Sequence, residues 1–167
     1  VFFVRSLSTV QAVYDGKHPN SVAGFYRASP SGALAVVPRS TGDGIGANII
    51  LFHEYAHHLM LQYFVFPYPA WFVEGFAEFM STTEFDQDGK PTLGLPARHR
   101  ADGLFAGKDV PARRLLTASV PELSFAETEP FYGRAWLLTH YLSFTPKRQG
   151  QLGAYLKAIG AGTKAED

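Results

Sequence analysis

Apolar and polar positions along the chain separate a short strand-rich start from a longer helical remainder. The opening run Val1 to Arg5 predicts a strand, and Ser8 to Tyr14 a short helix begun at a Ser/Thr cap. Asp15 to Ser21 (DGKHPNS) reads as loop. Two β-rich runs, Gly24 to Ala28 and Ala33 to Val37, flank the turn signal SPSG and predict an antiparallel hairpin. Pro38 ends the second run, as an edge strand allows. Ser40 to Gly46 is a loop. From Ala47 to Phe66, apolar Leu51, Tyr55, Leu59 and Phe66 approximate helical spacing. Pro67 and Pro69 break that helix, and Ala70 to Ser81 predicts a second.

Further on, TEFDQDGKPTLG (Thr83 to Gly94) predicts a hairpin turning at Asp88-Gly89. Pro96 to Pro130 has little periodicity and only short helical pieces such as Pro111 to Thr117. A long helix is expected from about Phe131 to Phe144, and another after Pro146, from Gln149 to Ile159. There are no internal repeats or low-complexity segments. The expected fold class is α+β, a small antiparallel strand-rich N-terminal part packed on a helical core.

Composition narrows the picture in a few places. A chain of 167 residues is one domain by length. With 46% hydrophobic and 18% charged residues it is globular, not disordered. Lys plus Arg and Asp plus Glu both count 15, so no basic field points to nucleic acid. The absence of cysteine removes disulfides, thiolate zinc sites and cysteine nucleophiles. The oily stretch Ile49 to Val73 is interrupted by His53, Glu54, His57, His58, Gln62 and two prolines. It falls short of the roughly 18–20 apolar residues of a bilayer span, so no transmembrane segment is expected. The start VFFVRS, with no initiator Met and no charged flank, reads as a cut inside a domain or after a removed leader.

Within that stretch, FHEYAHHLM (Phe52 to Met60) places three histidines and a glutamate among apolar residues. Buried polar groups destabilise a fold unless something satisfies them. His53 and His57 are four apart, so on a helix they lie roughly 40° apart on one face, a turn along. Two imidazoles so placed can reach one zinc ion at about 2.0–2.1 Å. Glu54, the next residue round the helix, is placed for a general base acting on metal-held water. HEYAH is thus a full His-Glu-x-x-His zinc signature on a predicted helix.

A third ligand is needed. The metzincin continuation would require a glycine three residues and a histidine six residues past His57, where this chain has Met60 and Tyr63. A deformylase-like site would require a cysteine. The remaining common option is a glutamate from a following helix, and PAWFVEGFAEFM (Pro69 to Met80) supplies Glu74. Glu78 lies four residues on, on the same face, so the two carboxylates repel unless a cation offsets them. Glu74 is then the third metal ligand, and Glu78 accepts the spare N–H of a ligand histidine.

FHEYAHH followed by PAWFVEGFAEFM resembles the gluzincins, the thermolysin and aminopeptidase-type zinc peptidases. The chain is most similar to bacterial peptidase MA-like domains, which commonly read HEYxHH, then P-x-W-x-x-EG-x-AE, then a helix opening FY-x-x-x-W. The match covers roughly Gly24 to Ile159. It implies a zincin-like helical core, His53, His57 and Glu74 as zinc ligands, Glu54 as base and Glu78 behind the ligands. It also implies a peptide or protein substrate, and an exported protein. Set against the pattern, the strand and helix that usually precede are expected to be missing from this stretch, so only part of the substrate cleft is expected to be visible in it.

Gly75, inside the second helix, is expected to let the two middle helices approach closely. His58 points about 100° from His57 and cannot share its face; it is read as a packing histidine or one behind the ligands. His18 and His99 fall in predicted loops and are read as solvated. In FYGRAWLLTHYL (Phe131 to Leu142), Tyr132, Trp136 and His140 recur every four residues. Such stripes commonly serve packing, yet a hydrolase of this kind needs a donor to the tetrahedral oxyanion. Tyr132, near the expected helix start, is the candidate, with His140 second. The reading is a zinc-dependent peptidase. Its rivals are a non-catalytic zinc-stabilised binding module, which a fourth protein ligand such as His58 or His140 would favour, and a metal-free interaction scaffold.

Overall fold

The computed structural model describes residues 1–16, 22–42, 44–63 and 67–165. Most of the expected Asp15 to Ser21 loop and the expected helix end at residues 64–66 lie outside the described residues. The fold class is α+β, and contacts divide the chain into two compact units, Val1–Val65 and Phe66–Asp167.

The first unit runs β1 (Phe2–Val4), α1 (Leu7–Val13), β2 (Phe25–Ser29), β3 (Gly32–Pro38) and α2 (Ala47–Tyr63). β2 and β3 form the expected antiparallel hairpin, but β1 adds in parallel to the other side of β3, giving the order β1-β3-β2. The sheet is therefore mixed, not antiparallel, and β3 is its centre. The inference of an edge from Pro38 is corrected. Pro38 is the last residue of β3, and Arg39 N–H donates to the Val4 carbonyl at 2.8 Å, continuing the ladder where proline has no donor. Ala35 to Pro38 are all buried. Successive strand residues face opposite sides, so this end of β3 is covered on both faces.

On α2 the buried side chains are Ile50, Glu54, Ala56 and Met60. The stripe read from Leu51, Tyr55 and Leu59 is not the buried one, since Tyr55 is 48% exposed. A carboxylate and an alanine on the covered side hid the true face from a purely apolar count.

In the second unit α3 spans Ala70–Ser81, as expected, with Pro69 extended at its N-cap. β4 (Glu84–Phe85) and β5 (Pro91–Thr92) pair as the expected hairpin. Gly89 there has φ 78, a left-handed conformation that favours glycine. Then come α4 (Ala101–Phe105), α5 (Ala112–Thr117), α6 (Phe125–Phe144) and α7 (Gln151–Gly160). Trp71, Phe131 and Ala135 are buried in this unit's core, and the Trp71 indole N–H donates to the Tyr155 hydroxyl at 3.2 Å, tying α3 to α7. Gly75 admits a close approach, but its neighbour is α6: a Cβ there would meet the Ala135 carbonyl and lie 2.5 Å from Thr139 Oγ1.

α6 begins six residues before the expected Phe131, and Pro130 lies inside it. A capping box starts it. Ser124 N–H and hydroxyl donate to Glu127 Oε2 at 2.9 and 2.7 Å, and Glu127 N–H donates to the Ser124 carbonyl at 2.9 Å. The Ser124 hydroxyl and then its backbone N–H hold the Glu127 carboxyl down, from an ordinary 4.5 to about 2. A folded-state pKa below the unfolded one stabilises above the unfolded value, and that stabilisation is lost as pH falls from about 4.5 to about 2. An NMR titration should therefore find the Glu127 carboxyl still ionised near pH 3, with Glu127→Gln removing the acid fraying of α6 in that window. An ordinary midpoint would mean that the box is open in solution.

Candidate metal centre

α2 carries the histidine pair. Four-residue spacing stacks His53 and His57 on one side of the helix, both half-buried, with Nε2 atoms 3.1 Å apart and rings edge to face at 84°. Two nitrogens bound to one tetrahedral zinc at about 2.0–2.1 Å would stand about 3.3 Å apart. The pair already has the separation that two ligands of a single small cation require. Glu54 is buried on the same helix. A Cβ at Gly24 would lie 2.5 Å from Ile50 Cγ2 and 3.3 Å from Glu54 Oε1, so this glycine lets the chain before β2 pack against the Ile50 and Glu54 side of α2.

Glu74 stands half-buried on α3. His53 and His57 on α2 and Glu74 on α3 together are a donor set that could hold a metal ion. Two neutral imidazoles and one carboxylate suit a borderline divalent cation and leave coordination positions for water or substrate.

Glu78, one turn beyond Glu74, is 1% exposed. His99 Nε2–H donates to its Oε2 at 2.8 Å and Arg100 Nη2 to its Oε1 at 2.6 Å. Arg100 also donates from Nη1 to both Glu129 oxygens at 2.9 Å, and its guanidinium lies 4.8 Å over the Tyr132 ring. Burial alone would lower the Arg100 pKa. The Glu78 and Glu129 carboxylates outweigh that and raise it. His99, expected to be a solvated loop residue, is only 10% exposed and sits in a 3-10 turn, Arg98–Arg100, that precedes α4. The short basic run RHR was the available signal. Its meaning depended on a buried carboxylate 21 residues away, which no local pattern reveals.

The other candidates are placed as follows. His58 Nδ1 lies 3.2 Å from the Tyr26 hydroxyl, with its ring between those of Tyr26 and Tyr55, a packing position within the first unit. His140 packs among Trp136, Phe144 and Phe79, at ring-centroid distances of 5.2, 4.9 and 6.3 Å. Tyr132 is the eighth residue of α6, so its expected position near a helix start is corrected; the capping box at Ser124 moves the start. His18 lies outside the described residues. No described helix is long and apolar enough to cross a membrane.

Comparison with family models, characterised proteins and solved structures finds no match for this chain. The reading of the site therefore rests on its own chemistry.

Proposed function

We propose that the chain is a zinc-dependent peptidase domain in which His53, His57 and Glu74 hold the ion and Glu54 is the general base. The observation that carries this reading is the pair of imidazole nitrogens 3.1 Å apart on α2, with Glu54 buried on the same helix. When bound, zinc supplies Lewis acidity toward a carbonyl and makes water acidic near neutral pH. The residues of the chain do the rest. The Glu54 carboxylate takes a proton from the attacking water and returns it to the leaving amine nitrogen. Its burial keeps competing solvent away from that proton. Glu78 supports the ligand set from α3, itself fixed by His99 and Arg100. Tyr132 offers a phenol to the developing oxyanion, and the guanidinium over its ring makes that O–H a better donor.

Metal content tests the reading most directly. Protein purified without chelator should carry one equivalent of zinc, and stripping it should lower the melting temperature, because a ligand bound only to the folded state stabilises it. Glu74→Ala should weaken zinc binding by more than the roughly 10- to 100-fold typical of losing an outer partner. Full occupancy without Glu74 would mean that another residue is the third ligand.

A further inference from the structure

We propose that the chain forms a two-fold dimer through its second unit, with the β4–β5 hairpin of one copy laid along the end of α6 of the other. All of the surface involved belongs to that unit, and the inference stands apart from the metal centre and the peptidase reading. Phe85 and Pro91 are direct cross-strand partners, so they share one face of the hairpin, and Leu93, two residues on, continues it. That face leads to α6, since a Cβ at Gly94 would lie 2.6 Å from the Phe144 ring. On α6, Leu137, Tyr141 and Phe144 follow at intervals of four and three residues and form one stripe. Phe85, Leu93, Leu137, Tyr141 and Phe144 are each between 40% and 58% exposed. A contiguous apolar strip of this kind marks an interaction surface.

The charges beside the strip decide what covers it. The hairpin carries Glu84, Asp86 and Asp88 against Lys90, whereas the chain from Leu137 to Gly160 contains Lys147, Arg148 and Lys157 and no acidic residue. Arg148 lies 5.6 Å over the Tyr141 ring and donates from Nε to its hydroxyl at 3.1 Å, which sets a cation beside the stripe. The strip thus has an acidic part and a basic part. A two-fold axis near Leu93 and Phe144 sets each against its opposite, the self-complementarity that an isologous interface requires. A uniformly anionic or cationic partner would meet repulsion at one of them. Five half-exposed side chains of this size present roughly 400–600 Å² of apolar area. That suffices for the core of a standard interface of about 800 Å² per partner, with the charged residues as its polar rim.

The test is sedimentation velocity on the full chain from about 1 to 500 µM, which should show a reversible dimer with Kd about 1–100 µM. Added salt should weaken it, because the rim charges are exposed. Leu137→Glu places a charge within the apolar strip of both copies and should weaken the dimer by about 30-fold or more. Asp88→Arg and Arg148→Glu should each weaken it roughly 3- to 30-fold, since every contact occurs twice in a two-fold dimer. The double variant carrying both reversals should return Kd to within about 3-fold of the parent. Circular dichroism and the melting temperature establish that each variant is folded; should Leu137→Glu unfold, the charge-reversal set decides alone. A chain that stays monomeric throughout overturns the proposal. So does a dimer that folded Leu137→Glu leaves intact, or one that both single reversals weaken and the double variant does not restore.

Discussion

Replacing Arg100 with alanine should cost about 3–5 kcal/mol of folding stability, the range for breaking a buried ion pair from one side. Arg100 is 14% exposed and Glu78 1%, so the pair is shielded from solvent. The substitution strips a 2.6 Å charge-assisted bond from Glu78 Oε1, while its Oε2 still accepts from His99. It also removes the cation from the Tyr132 face and from Glu129. Urea unfolding with an unchanged slope would read the loss directly. The Arg100→Met, Glu78→Leu double variant should be markedly less destabilised than Arg100→Ala, because no charge is then buried unpaired. A single variant as stable as the parent would mean that the pair contributes nothing, as exposed ion pairs commonly do.

How far the sequence carries depends on whether the deciding interaction is local. α3 was legible to the residue, because Pro67 and Pro69 exclude a helix before Ala70. The β4–β5 hairpin was legible because Asp88-Gly89 demands a turn with positive φ, and Gly89 has it. The histidine pair was legible because i, i+4 spacing on a helix fixes where two rings meet. Glu74 follows in the sequence by excluding other ligand sets, and it stands half-buried on α3.

The misreadings have different causes. Starting the helix at about Phe131 overlooks Ser124-Phe-Ala-Glu127, a complete capping-box signal six residues before Pro130. Two readings followed from that error, the start of α6 and the place of Tyr132 on it. Ala35 to Pro38 is a continuous apolar run, the mark of a strand covered on both faces, and Pro38 drew the reading toward an edge instead. β1 joins β3 from more than 25 residues away in parallel, a pairing that no turn signal announces. The His99 and Arg100 grip on Glu78 is likewise long-range: it appears only once α3 and the turn before α4 are packed together.

Glu54→Gln should leave the zinc content at one equivalent and the melting temperature near that of the parent, while kcat falls by roughly 10²- to 10⁴-fold. The change is isosteric, so it fits the buried space that the Glu54 side chain fills. An amide cannot take the proton from water or return it to the leaving nitrogen, and substrate binding does not depend on that transfer. The loss should therefore fall on kcat with KM little changed, as for an interaction made in the transition state. Glu78→Ala supplies the contrast. It removes a carboxylate already held by His99 and Arg100, so zinc affinity should drop by about 10- to 100-fold and stability with it. Should Glu54→Gln release the metal while Glu78→Ala keeps it and loses only turnover, the two glutamates would exchange roles. Should Glu54→Gln hydrolyse peptides at the parent rate with full zinc, the base lies elsewhere, and the carboxylate buried on α2 serves structure alone.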